Sequence, residues 1–66
     1  MEVSLSTIET RVIIWWDRPE PLWRICVFIR NYPNRPSDKD CIEVIARITE
    51  DTNENVSLAW KHCYSH

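Results

Sequence analysis

Glycine is absent from this chain of 66 residues. Glycine-rich phosphate loops are therefore excluded. Any backbone position that needs a positive φ must be filled by Asn, Asp or a residue that accepts strain. Long apolar runs are also missing: nothing approaches the roughly 18 residues that a membrane-spanning helix requires. The N-terminal stretch MEVSLSTIET has no basic region followed by a long apolar segment, so no signal peptide is read. Cysteine is sparse and unpaired in spacing, with only Cys26, Cys41 and Cys63. A small secreted disulfide scaffold would carry an even and larger set, so reduced thiols in a cytoplasmic protein are expected. Asn55-Val56-Ser57 matches a glycosylation acceptor, which has no weight without a secretory route. The net charge of −2 supplies no global field to recruit nucleic acid.

What is present is apolar and aromatic: 44% of the residues are hydrophobic and four are Trp. That composition is globular, and the length predicts one small domain over residues 1–66. A chain of this size buries only about 60% of the surface exposed when unfolded, so stability is marginal and room for a deep pocket is scarce. Charge is uneven. Between Asp38 and Glu54, six acids (Asp38, Asp40, Glu43, Glu50, Asp51 and Glu54) face only Lys39 and Arg47, whereas five Arg lie between Arg11 and Arg35 against Asp17 and Glu20.

From Ile8 onward the residues alternate. Ile8, Thr10, Val12, Ile14 and Trp16 share one parity, and Glu9, Arg11, Ile13 and Trp15 the other. Period two predicts a half-buried strand, with a bulge near Ser6-Thr7 to absorb the opposite parity of Val3 and Leu5. Asp17-Arg18-Pro19-Glu20-Pro21 reads as a turn, since its prolines remove backbone donors. Leu22 to Asn31 reads as a second strand, with Trp23, Ile25, Val27 and Ile29 on its apolar side. The register that matches apolar faces sets Ile14 opposite Trp23 and Val12 opposite Ile25.

Asn31 to Pro36 reads as a connector. Beyond it, Ser37 has the chemistry of an N-cap, acids fill the next turn, and polar residues form one continuous arc on a helical wheel. Glu43 and Arg47 stand at i,i+4 spacing. This predicts a helix over about residues 38–51. Ile42, Val44, Ala46 and Ile48 also alternate, so a strand remains the competing assignment. After a turn at Thr52 to Asn55, Val56, Leu58, Trp60, His62 and Tyr64 alternate as a third strand. The expected fold class is α+β: a β-hairpin, a helix and a strand, forming a three-stranded sheet with one helix on one face. The alternative is an all-β four-stranded antiparallel meander. The expected core is Ile8, Val12, Ile14, Trp16, Trp23, Ile25, Val27, Ile29, Ile42, Ile45, Ile48, Leu58 and Trp60.

A single helix would cover one side of that sheet. The bare side would carry Ile13, Trp15, Leu22 and Phe28 among Arg11, Arg24, Arg30 and Lys61, with Glu9 as its only acid. Exposed apolar patches of this kind mark interaction sites, and Trp and Arg are the residues most enriched at binding hot spots. A structural role competes: Trp15 and Leu22 could pack beside the turn, or the N-terminal segment could cover them. The expected partner is another protein, either a heterologous target or a second copy in a homodimer. Single-stranded nucleic acid is the second candidate, because aromatics for stacking and Arg for phosphates would share one face.

Metal binding and catalysis find no residue set. Structural zinc uses two close ligand pairs, but Cys26 and Cys41 stand alone, and His62, Cys63 and His66 form one cluster at the chain's end. No metal or other cofactor is expected. A Cys-His nucleophile needs its base beside it in space, and neighbours on a strand diverge. The expected function is a non-enzymatic protein-binding module, an inhibitor or adaptor of the size that phages and mobile elements encode.

Overall fold

Ser4 starts the fold. Its hydroxyl accepts the Thr7 N–H at 3.2 Å, which satisfies one orphan donor of a helix N-terminus. Helix α1, Leu5–Trp15, follows. In the computed structural model, which describes residues 3–16 and 21–63, the chain then forms α2 (Leu22–Arg30), α3 (Asp38–Thr49) and α4 (Asn53–Cys63). Among the described residues there is no strand. The α+β sheet and the all-β meander are both overturned: within the described residues, each segment assigned to a strand is helical, and Tyr64 of the expected third strand lies outside them. The bulge expected near Ser6-Thr7 is the first turn of α1. Of the turn expected at Asp17 to Pro21, only Pro21 falls within the described residues; it is the N-cap of α2, and its carbonyl accepts the Arg24 N–H at 3.0 Å.

The physical reason lies in packing. β-branched residues lose only tenths of a kcal/mol in a helix, whereas burying an Ile or Val contributes about 1.5–3 kcal/mol. Four amphipathic helices bury Ile8, Val12, Ile25, Ile29, Val44, Ile45 and Val56 almost completely, so tertiary burial outweighs local preference. The side of each helix that turns inward follows i,i+4 spacing: Ile8 and Val12, Ile25 and Ile29, Cys41 and Ile45, Val56 and Trp60. Helix α2 shares its largest interface with α4, and among the described helices α1 packs on α3 and α2.

Helix α3 is the element whose assignment held. Ser37 caps it through the Asp40 N–H at 3.4 Å, with Asp38 and Asp40 in the first turn. Arg47 of α3 reaches Glu9 of α1 at 3.2 Å. The helix closes at Glu50, which adopts φ 58°, ψ 36°, and the Asp51 N–H bonds the Ala46 carbonyl at 3.1 Å. This six-to-one bond belongs to a Schellman C-cap, where glycine is the usual occupant. The lack of glycine is thus met by strain at Glu50 and by Asn34, also at φ 58°. Replacing Glu50 with Gly should stabilise the domain by about 0.5–1 kcal/mol, since a non-glycine left-handed residue costs about 1–2 kcal/mol and glycine loses part of that gain as chain entropy. Thermal unfolding followed by circular dichroism checks this; an unchanged or lower Tm contradicts it.

The connections are pinned by polar contacts. The Asp51 carboxylate accepts the Thr52 N–H at 2.8 Å and the Asn55 side-chain amide at 3.0 Å, and these bonds hold its pKa below the ordinary carboxylate value. Thr52 caps α4 through the Asn55 N–H at 3.1 Å. Between α2 and α3, Arg35 donates to the Arg30 carbonyl at 3.3 Å and pairs with Asp38 at 3.2 Å. The Val3 N–H bonds the Asn34 carbonyl at 2.8 Å, which ties the start of α1 to this connector.

Candidate functional site

Val12-Ile13-Ile14-Trp15-Trp16 is a run of five apolar residues. On a helix each residue turns about 100° from the last, so such a run spans the full circumference and must present some of its members to solvent. In α1, Val12 enters the core, while Ile13 is 58% and Ile14 76% exposed. Ile13 lines a shallow groove of about 300 Å³ with Glu9, Trp16 and Ile48. Ile14 borders a second dent with Ser6, Thr7, Thr10 and Arg11. The outward face of α1 therefore sets Ile13 and Ile14 among Ser6, Thr7 and Thr10, with Arg11 on one side and the Glu9–Arg47 ion pair on the other.

The expected docking residues do not share one face, because no sheet exists to align them. They fall on α1 (Arg11, Ile13, Trp15), α2 (Leu22, Arg24, Phe28, Arg30) and α4 (Lys61). Trp15 is 37% exposed, and its ring stacks on Phe28 with centroids 4.5 Å apart and planes 17° from parallel. Phe28 in turn tilts against Tyr32 at 6.1 Å. Leu22 and Phe28 pack against the core. These aromatics tie α1 to α2.

Arg30 lies half-buried with its guanidinium 4.6 Å above the Trp60 ring and donates to the Trp60 carbonyl at 3.3 Å. Arg35 approaches the same ring at 5.6 Å. Arg11, Arg24 and Lys61 are exposed. Lys61 edges a groove of about 450 Å³ with Arg30, Asp38, Ile42, Ser57 and Trp60. Ile13 and Arg11 are thus the members of the expected set that border the outward face of α1.

Three residues assigned to the core are surface residues: Ile14, Trp23 at 51% exposure and Leu58 at 50%. Each sits two positions from a buried residue of its own helix, namely Val12, Ile25, and both Val56 and Trp60. On a strand they would have shared the buried side; on a helix they lie about 200° away. The signal that reveals Ile14 is the five-residue apolar run itself.

All three cysteines are buried as free thiols. Cys41 donates to the Pro36 carbonyl at 3.6 Å. Among the described residues, no three His, Cys, Asp or Glu side chains gather where a metal could be held. His66, part of the terminal cluster considered for metal, lies outside the described residues. No helix among the described residues is long and apolar enough to cross a membrane. Compared with protein-family models, curated proteins and solved structures, the chain matches none.

Proposed function

We propose that this chain is a non-enzymatic protein-binding domain that docks through the outward face of α1. The observation that carries this reading is the adjacent pair Ile13 and Ile14, 58% and 76% exposed on a helix that, among the described helices, packs against α2 and α3. The fold covers α1 on one side, and on the other Ile13 and Ile14 stand uncovered among Ser6, Thr7 and Thr10. A partner's apolar groove would supply the other cover. Burying each Ile would contribute about 1.5–3 kcal/mol. Arg11 and the Glu9–Arg47 pair would form the polar rim, where charge sets orientation and association rate. The reduced thiols fit a cytoplasmic setting for this exchange.

The reading is tested by exchanging both isoleucines for glutamine, a good helix former. Wild type and the Ile13→Gln/Ile14→Gln variant would be immobilised as baits at about 0.15 M salt. The variant should keep its helical circular dichroism and lose retained partners by at least about 100-fold in affinity, the equivalent of two buried anchors. Identical retention by both baits would end the proposal. Light scattering of the free chain asks whether the partner is a second copy.

A further inference from the structure

The groove of about 450 Å³ takes its walls from three helices: Arg30 of α2, Asp38 and Ile42 of α3, and Ser57, Trp60 and Lys61 of α4. That volume is within the range of small-molecule sites. The walls divide by chemistry. Ile42 and Trp60 supply apolar surface, Arg30 and Lys61 supply cations, and Ser57 supplies a hydroxyl. Asp38 is the one acid among the described lining residues, and its carboxylate is paired with Arg35 at 3.2 Å. The Arg35 guanidinium stands 5.6 Å from the Trp60 centroid. Three cations and one acid thus gather here, in a chain whose net charge is −2. Arg30 is fixed in place: its guanidinium lies 4.6 Å above the Trp60 ring and it donates to the Trp60 carbonyl at 3.3 Å. An arginine held this way loses little side-chain freedom when a further acceptor arrives. The indole of Trp60 is 3% exposed, and its Nε1 has no hydrogen-bond partner. Buried donors are almost always satisfied, so this one calls for an acceptor from outside the chain.

We propose that this groove between α2, α3 and α4 binds a small monocarboxylate with an apolar body. The carboxylate accepts from the Lys61 ammonium and the Arg30 guanidinium. It also supplies the acceptor that the Trp60 Nε1 lacks, directly or through one water. The apolar body lies along Ile42 and the exposed part of the Trp60 ring, where it leaves water. A bare inorganic anion has no such body and gains nothing from those two walls. A neutral ligand of the same shape forgoes the charge-assisted hydrogen bonds, which are about twice as strong as neutral ones. Lys61 is the steering charge: it is exposed near the end of α4 and ion-paired with no described residue. The site is separate from Ile13 and Ile14, since no described lining residue belongs to α1.

The probe is 4-phenylbutyrate, titrated at neutral pH into the isotope-labelled full chain and followed by two-dimensional NMR. Saturable binding is expected, with a Kd on the order of 1 mM or tighter for a ligand of this size. The largest shifts should fall on the Trp60 indole N–H and the Ser57 and Lys61 amides. The alcohol 4-phenylbutanol keeps the body without the charge and should bind at least about 10-fold more weakly. The Lys61→Gln variant, altered at an exposed position, should keep its helical circular dichroism and lose affinity for the acid by a similar factor. Acetate over the same range should not saturate. Equal affinity for acid and alcohol would overturn the assignment. So would undiminished binding to Lys61→Gln, shifts centred on Ile13 and Ile14, or no saturable shift at the Trp60 indole.

Discussion

Val12→Asp should unfold this protein, and Ile14→Asp should leave it folded. Val12 is fully buried and Ile14 is 76% exposed. At position 12 the substitution removes about 1.5–3 kcal/mol of apolar burial and leaves a carboxylate without a partner in the core, at a cost of several kcal/mol more. A domain of this length has on the order of 3–10 kcal/mol to lose. At position 14 the new acid faces water, and its unfavourable place near a helix C-terminus costs under about 1 kcal/mol. Urea titration followed by circular dichroism separates the two variants. The comparison also decides between helix and strand for residues 5–15. On a strand both side chains would point the same way, so equal damage from both substitutions would refute α1.

That contrast explains how much of the fold could be read from residues alone. A residue and its neighbour four positions on lie on the same side of both a strand and a helix. Ile8 with Val12, and Ile25 with Ile29, therefore belong to the core under either assignment, and they are buried. Residues two positions apart discriminate, and there the alternation misled: Ile14, Trp23 and Leu58 face solvent. β-branched content strengthened the error, since Val and Ile favour strands only as far as packing agrees. Helix α3 was legible because its signals do not depend on period alone. Ser37 caps it, acids fill its first turn, and its polar arc is unbroken. Of these signals α1 shares the cap, through the Ser4 hydroxyl, and has no acid in its first turn.

The candidate site was half legible for a related reason. Exposure of some of the Val12 to Trp16 run follows under any secondary structure, since five apolar residues in a row cannot all enter one core. Which members emerge depends on the helical phase. Ile13 stays outside in both geometries, and Trp15 keeps 37% exposure while its ring stacks on Phe28. The role of Arg30 could not be read at all, because its contact with Trp60 spans 30 positions of chain. Nothing local to either residue announces such a contact.

Trp60→Ala should be the most damaging single truncation on α4. The indole is buried, with the Arg30 guanidinium 4.6 Å from its centroid and that of Arg35 at 5.6 Å. Removing a buried Trp costs about 3–5 kcal/mol through lost burial and the cavity left behind. Each desolvated cation–π contact adds about 0.5–2 kcal/mol. The sum is comparable to the whole stability of a domain of this length, so the variant should be largely unfolded at room temperature. Two further substitutions separate the causes. The indole Nε1 is buried with no hydrogen-bond partner, so Trp60→Phe gives up no hydrogen bond and keeps an aromatic face for both arginines. Trp60→Leu keeps apolar volume and gives up that face. Phe should therefore retain at least about 1 kcal/mol more stability than Leu by urea titration. If Leu matches Phe, the arginines lie over the ring without stabilising it, and apolar burial alone fastens α4 to the remainder of the fold.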